Sequence, residues 1–315
     1  DCFTFFNELD LLEIRLKYLC DIVDYFVIVE ADCSFNGDAK QMVFKENIDR
    51  FEPFMAKIIY VPIHMKDFEN TNKVAWKREE YQRNCIQNGI DTLNLKDADL
   101  VLISDIDEIP NKDILIDLKT ENETKIDVKK QSKLLLILKA VFYSFKSGFY
   151  KIINKDLSKL KSQLKLIYFT LVKNYSPPLN FNMYNYYYYL NFQKKNDLWA
   201  GVQCFQTKWL NIFTANELRE FRKSPIRSVN NSGWHFSYLG GKEMIKYKIK
   251  NFSHQEYNVP EIVSDEYIDF CINNGYSLFE YYKNPNIKPK YIKKEISHLP
   301  QNLHDIVVSY KKLIF

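Results

Sequence analysis

The sequence predicts an α/β fold: a Rossmann-type, doubly wound, mostly parallel sheet flanked by helices, with a basic helical hairpin inserted. Three observations carry this. Short, almost wholly apolar runs alternate with stretches of helical periodicity across residues 1–118. Two of those runs end in carboxylates, as buried strands do when they deliver polar groups to the carboxyl edge of a sheet. Residues 125–173 then break the pattern with 12 lysines against two acids.

Composition bounds the class. A chain of 315 residues that is 46% hydrophobic and 16% aromatic, with 8 glycines, buries a sizeable core and is neither disordered nor collagen-like. The six cysteines, Cys2, Cys20, Cys33, Cys85, Cys204 and Cys271, contain no C-x-x-C pair, which argues against a zinc or redox motif and for buried free thiols in a reducing compartment. Signal-like and membrane-spanning runs are absent. The expected location is cytoplasmic or peripheral at a membrane surface, or the Golgi lumen if the natural chain carries an N-terminal anchor.

Taken in order, residues 2–6 form the first strand, and Leu9, Leu12, Leu16 and Leu19 recur at helical spacing after it. Residues 24–30 form a second strand ending in Glu30, and Asn36-Gly37 marks a turn. Residues 57–61 form a third strand, and residues 74–88 a helix. Within that helix Arg78 and Arg83 would suit a diphosphate, although the same pattern describes a solvated face laced by an ion pair.

The fourth strand, from Asp99, ends in Asp105-Ile106-Asp107-Glu108 and meets Pro110, which cannot continue a ladder. Two acids one residue apart at a strand end converge and repel unless a cation lies between them, and the usual occupant is a hard divalent ion. The plain alternative is a solvated acidic turn. Asn7, Glu8, Glu30 and Asp105 all fall at strand ends, where a nucleotide would sit.

Residues 125–173 carry a net charge of +10, so the rest of a chain of +4 carries −6. Ile153, Leu157, Leu160, Leu164, Ile167 and Leu171 form a helical stripe, and Ser147-Gly148 breaks the segment into a hairpin. Two readings stand: the hairpin lies on an anionic membrane surface, or the stripe packs on the domain and the lysines solvate it. The segment lacks arginine, which argues against nucleic acid. After Pro177-Pro178 come a tyrosine-rich strand at 183–190, a strand at 200–210 flanked by Trp199 and Trp209, and Gly233-Trp234-His235-Phe236-Ser237. The tyrosines suit a sugar ring or the core. Helices follow from Lys242.

The blocks Phe5-Phe6-Asn7-Glu8-Leu9-Asp10, Phe26-Val27-Ile28-Val29-Glu30, Ser104-Asp105-Ile106-Asp107-Glu108-Ile109-Pro110 and Gly233-Trp234-His235-Phe236-Ser237 together resemble glycosyltransferase family 17. This family includes the transferase that adds the bisecting GlcNAc of N-glycans. The resemblance covers residues 1–118 closely and about 183–275 more loosely. It implies a GT-A fold, a UDP-sugar donor, Mn²⁺ or Mg²⁺, a glycan or glycolipid acceptor, and transfer with inversion. By resemblance Asp105 and Asp107 hold metal and donor with His235, while Asn7, Glu8 and Glu30 contact the nucleoside. Residues 1–118 become the nucleotide-sugar half, 119–178 a lysine-rich insertion, and 179–315 the acceptor-side half of the same domain. Inversion needs a carboxylate base. Glu108 takes that role here, with a buttress as its other reading and Asp197, Glu217 and Glu256 as alternatives.

Two other functions compete. A metal-dependent nucleotidyltransferase or phosphohydrolase would use the same acidic strand end, but the five histidines show no H-x-H or H-x-x-x-H pair for a two-metal centre. A non-catalytic glycan-binding module would tolerate loss of Asp107.

Overall fold

The computed structural model describes residues 1–65, 74–120, 128–130, 158–223 and 226–315. Strands β1 (Cys2–Phe5), β2 (Phe26–Ala31), β3 (Ile58–Ile63) and β4 (Leu100–Asp105) run parallel in the order β3-β2-β1-β4. All six residues of β2 are buried, which explains why such a strand reads as one apolar run. Alternate residues feed two cores. Phe3, Phe5, Phe26 and Ile28 face the Leu9–Leu19 helix, and Val27, Val29 and Ile103 face Ile86, Trp209 and Leu218. Leu12, Leu16 and Leu19 of the expected stripe are fully buried. The helix expected over 74–88 forms as two pieces, Val74–Asn84 and Ile86–Ile90. The second lies close on the sheet at Gly89, where a Cβ would come within 2.5 Å of Val27.

The expected parallel sheet thus stands over its first four strands, and the same sheet continues into the second half of the chain. Strand β5 (Glu108–Pro110) follows the acidic turn, and β6 (Val128–Lys130), β7 (Leu179–Tyr187), β8 (Phe192–Gln206), β9 (Arg227–Ser237) and β10 (Tyr291–Lys293) complete it. β8 pairs antiparallel with β4, and the order runs on as β8-β7-β9-β5, with β7 and β9 parallel to each other. Residues 1–118 and 179–315 therefore share one sheet. Much of the tyrosine-rich run is core: Tyr187 and Tyr188 pack with Phe192, Tyr238 and Tyr291, Tyr184 and Tyr189 are half-buried, and Tyr188 leaves β7 at φ 68°.

Of the expected insertion, residues 121–127 and 131–157 lie outside the described residues. The Ser158–Leu171 helix packs through Leu166 and Phe169, the latter 6.2 Å from Trp209 between ring centroids, while Ser162 donates to Glu217. That side is one step round from the expected stripe, and Leu164 is left 42% exposed. All six cysteines are free, four of them buried. Among the described residues no helix is long and apolar enough to cross a membrane.

Candidate active site

β4 ends at Asp105, the chain turns through Ile106 and Asp107, and β5 returns from Glu108. Arg15, fully buried on the Leu9–Leu19 helix, donates to the carbonyls of Asp105, Ile106 and Glu108 and holds the turn from below. β9 closes it from the side, with His235 opposite Glu108 and the Phe236 amide donating to the Asp107 carbonyl at 2.7 Å. That approach requires Gly233. At φ 152° its Cβ would lie 2.3 Å from the Ile109 carbonyl oxygen.

A cavity of about 440 Å³ opens here, at the carboxyl edge of β1 and β4. Its wall includes Glu8, Glu79, Arg83, Asp105, Asp107, Trp199, Arg222, His235, Lys248 and Glu280. A second cavity, of about 740 Å³, lies at the amino ends of the same strands, away from the acidic turn. Strand-end chemistry selects the smaller one.

Asp105 is held by Arg83 at 3.1 Å and Arg219 at 2.9 Å. Burial alone would raise its carboxyl, but Arg219 and Arg83 outweigh that and hold it well below the usual range. Asp107 divides its oxygens. Oδ2 accepts from Lys248 at 3.0 Å, and Oδ1 faces His235 Nε2 at 3.8 Å. Lys248 also lies 3.8 Å from Glu8. His235 Nδ1 is 3.1 Å from Asn185 Oδ1, and in the tautomer that donates from Nδ1 to that oxygen, Nε2 presents its lone pair to Asp107. The ring lies flat on Trp199, centroids 4.2 Å apart and planes at 9°. Burial pushes the His235 pKa down, against the pull of Asp107 and Glu108.

Two acceptors facing each other across 3.8 Å invite a shared cation. Among the described residues no group of three or more His, Cys, Asp or Glu side chains is arranged to hold one. An ion of the kind expected is commonly held by one or two carboxylates, with water and substrate phosphate completing the shell. Asp107 Oδ1 would be that carboxylate, with His235 Nε2 beside it as a second donor atom.

Of the residues read from the sequence, the fold brings Glu8, Arg83, Asp105, Asp107 and His235 onto one wall. It takes four others elsewhere. Glu30 is fully buried and accepts from Lys40 Nζ, the Phe44 amide and Tyr60 Oη, so it anchors the Val43–Glu46 turn instead of meeting a nucleoside. Arg78 is buried behind the 33–37 loop, donating to the Phe35 carbonyl and packing against Gly37. Asn7 stands at the end of β1 but contributes no part of the cavity wall. Glu108 is fully buried, bound by Trp199 Nε1 at 2.6 Å, by Arg219 and by the Asp105 amide at 3.1 Å. It cannot reach a substrate hydroxyl, and its buttressing role is the one the structure supports. Lys248, Arg219 and Arg222 carried no signal in the sequence: each is one basic residue among 44, with no motif around it.

Comparison with known proteins shows what the first half of the chain is similar to. Residues 1–155 match the model of glycosyltransferase family 17, so the match runs past residue 118 into the basic segment. Three relatives are named β-1,4-mannosyl-glycoprotein 4-β-N-acetylglucosaminyltransferase. Those from Homo sapiens and Rattus norvegicus are each 33% identical, and the one from Mus musculus 32% identical, over 118 residues. The alignments cover 36% of this chain and 22% of each relative, so the match spans about a fifth of the relatives' length.

Proposed function

We propose that the chain is a metal-dependent inverting glycosyltransferase with a GT-A fold, moving a sugar from a UDP-sugar to the hydroxyl of a glycan or glycolipid. The single observation that supports this best is the pair Asp107 Oδ1 and His235 Nε2, facing across 3.8 Å on the cavity wall within reach of the strand ends. GlcNAc as the sugar, β-linked to an N-glycan, follows from the relatives' printed names.

Asp107 and His235 would hold Mn²⁺ or Mg²⁺, with Asp105 beside them oriented by Arg83 and Arg219. When bound, the ion supplies neutralisation of charge on the departing diphosphate. Lys248 keeps Asp107 Oδ2 engaged, so Oδ1 is the oxygen presented to the cavity. The anomeric carbon becomes oxocarbenium-like as the bond to diphosphate lengthens, and a carboxylate takes the acceptor proton from the opposite face. Arginines hold Glu79 and Asp105, and Asp107 faces the metal position. Glu8 and Glu280 remain as wall carboxylates able to serve as base.

The test is release of UDP from a panel of UDP- and GDP-sugars by the purified chain, with and without Mn²⁺, beside Asp107→Asn. The expected result is metal-dependent turnover of one UDP-sugar, lost in the variant. Glycan binding with no nucleotide-sugar turned over, unaffected by Asp107→Asn, would make the chain a binder. An anionic membrane surface is proposed as a further partner of residues 125–173, on the exposed Leu164, Tyr168 and Val172 beside Lys161, Lys165 and Lys173. Co-sedimentation with phosphatidylserine vesicles that survives Leu164→Ser with Tyr168→Ser would remove it.

A further inference from the structure

Arg222 sits in the short turn Phe221–Lys223, just after the helix that carries Arg219. Its Nη1 donates to the Ala200 carbonyl at 3.0 Å, its Nε is buried without a hydrogen-bond partner, and its guanidinium lies 5.4 Å from the Trp199 ring centroid. The side chain lines the same cavity as Asp107 and His235.

Its surroundings set it apart. Arg219 bonds both Asp105 and Glu108, Arg83 bonds Glu79 and Asp105, Lys248 bonds Asp107, and Lys194 bonds Asp197 and Glu280. Among the described residues no carboxylate forms an ion pair with Arg222. Taking a charge out of water is costly when nothing compensates it. Burial and the neighbouring Arg219 both lower its pKa, and Glu108 and Asp105 act on it only from beyond contact. A cation so placed, at the wall of an open cavity, is short of an anion that the described residues do not supply.

We propose that Arg222 binds the diphosphate of the nucleotide-sugar, pairing its planar fork with phosphate oxygens and steadying the departing UDP. This rests on the UDP-sugar reading above. The guanidinium geometry matches phosphate oxygens bidentately. Trp199 makes the placement specific, because the indole that carries Arg222 on its π system also stacks on His235 and donates to Glu108. One rigid ring thereby sets the guanidinium in register with the position expected for the metal. Of the arginines the sequence offered for this task, Arg83 is already engaged by two carboxylates and Arg78 does not line the cavity.

The experiment is calorimetric titration of the wild-type chain, Arg222→Met and Arg222→Lys with UDP, pyrophosphate and uridine at fixed Mn²⁺. Arg222→Met should weaken UDP and pyrophosphate about 10- to 100-fold, the range of a charged hydrogen bond, and leave uridine unchanged. Arg222→Lys should recover part of the loss. If Arg222→Met does not fold, Arg222→Gln, which keeps a donor for the Ala200 carbonyl and removes the charge, carries the same expectation. Unchanged UDP affinity in a folded variant, or an equal loss for uridine and UDP, overturns the role of Arg222 alone. A wild-type chain that binds no UDP overturns the donor reading and this inference with it.

Discussion

Arg15 and Asp105 are joined by a hydrogen bond of 3.0 Å from a fully buried guanidinium to a main-chain carbonyl, so the acidic turn hangs from the first helix. The same Nη1 reaches the carbonyls of Ile106 and Glu108, Nη2 reaches Ser104 Oγ at 2.6 Å, and Asp1 closes the charge. Removing the guanidinium leaves buried acceptors and a buried carboxylate unpaired. Arg15→Met should destabilise the protein by about 3–5 kcal/mol, read as a lowered urea midpoint with an unchanged slope. A loss under about 1 kcal/mol would mean that β9 alone holds the turn.

His235 makes a prediction about pH. In the unfolded chain it titrates near its ordinary value of 6.5, and in the fold burial pushes it lower. Between the two values the unfolded chain binds more protons. The stability owed to a neutral His235 is therefore complete above about pH 6.5 and is lost as pH falls toward the folded pKa. The wild-type advantage over His235→Gln should shrink between about pH 7 and pH 5. An advantage that grows on acidification would show that His235 takes a proton in the fold and pairs with Asp107.

Glu30 and Asp105 look alike in the sequence, each a carboxylate closing a buried strand, yet the fold uses them in opposite ways. Glu30→Gln should cost about 1–3 kcal/mol, because the Phe44 amide, Lys40 and Tyr60 are matched to a carboxylate, and should leave UDP affinity unchanged. Weaker UDP binding at full stability would return Glu30 to the donor site.

That contrast shows what was legible. The four parallel strands could be read because burial on both faces leaves no polar phase in the pattern, and the acidic turn because its charges sit where such a strand must end. His235 could be read as a motif, since Gly233 beside it is demanded by the approach of β9 to β5. What each carboxylate meets was not legible. Lys40 and Tyr60 take Glu30, while Arg83, Arg219 and Lys248 come from 22 to 141 residues away to take Asp105 and Asp107. Such pairings are set by the path of the whole sheet, and no local spacing encodes them. The break of the 74–88 helix at Cys85 carried no local signal either, and the piece after it seats Gly89 on Val27 and Val61.

The general base gives the sharpest separation of site from scaffold. Glu108 is enclosed by Trp199, Arg219 and the Asp105 amide, and its loss would act through the geometry of the turn. Glu108→Gln should lower stability together with activity, since the short bond to Arg219 loses its charge. Glu280 lies on the cavity wall, on the Leu278–Lys283 helix, with Lys194 and Lys290 each at 3.2 Å. Glu8 stands at the end of β1 beside Lys248. A base that accepts the hydroxyl proton is needed for transfer to a glycan and much less for slow leakage of donor to water. Loss of the true base should therefore reduce transfer by about 10²–10⁴-fold and spare both UDP affinity and most of the leak. Glu280 comes from the half of the chain opposite the strand ends that would hold the nucleotide, so Glu280→Gln should show this split, and Glu8→Gln should instead weaken UDP binding. If Glu8→Gln loses transfer while binding UDP normally, and Glu280→Gln transfers at the wild-type rate, the base lies on the β1 side and the acceptor enters from the opposite face.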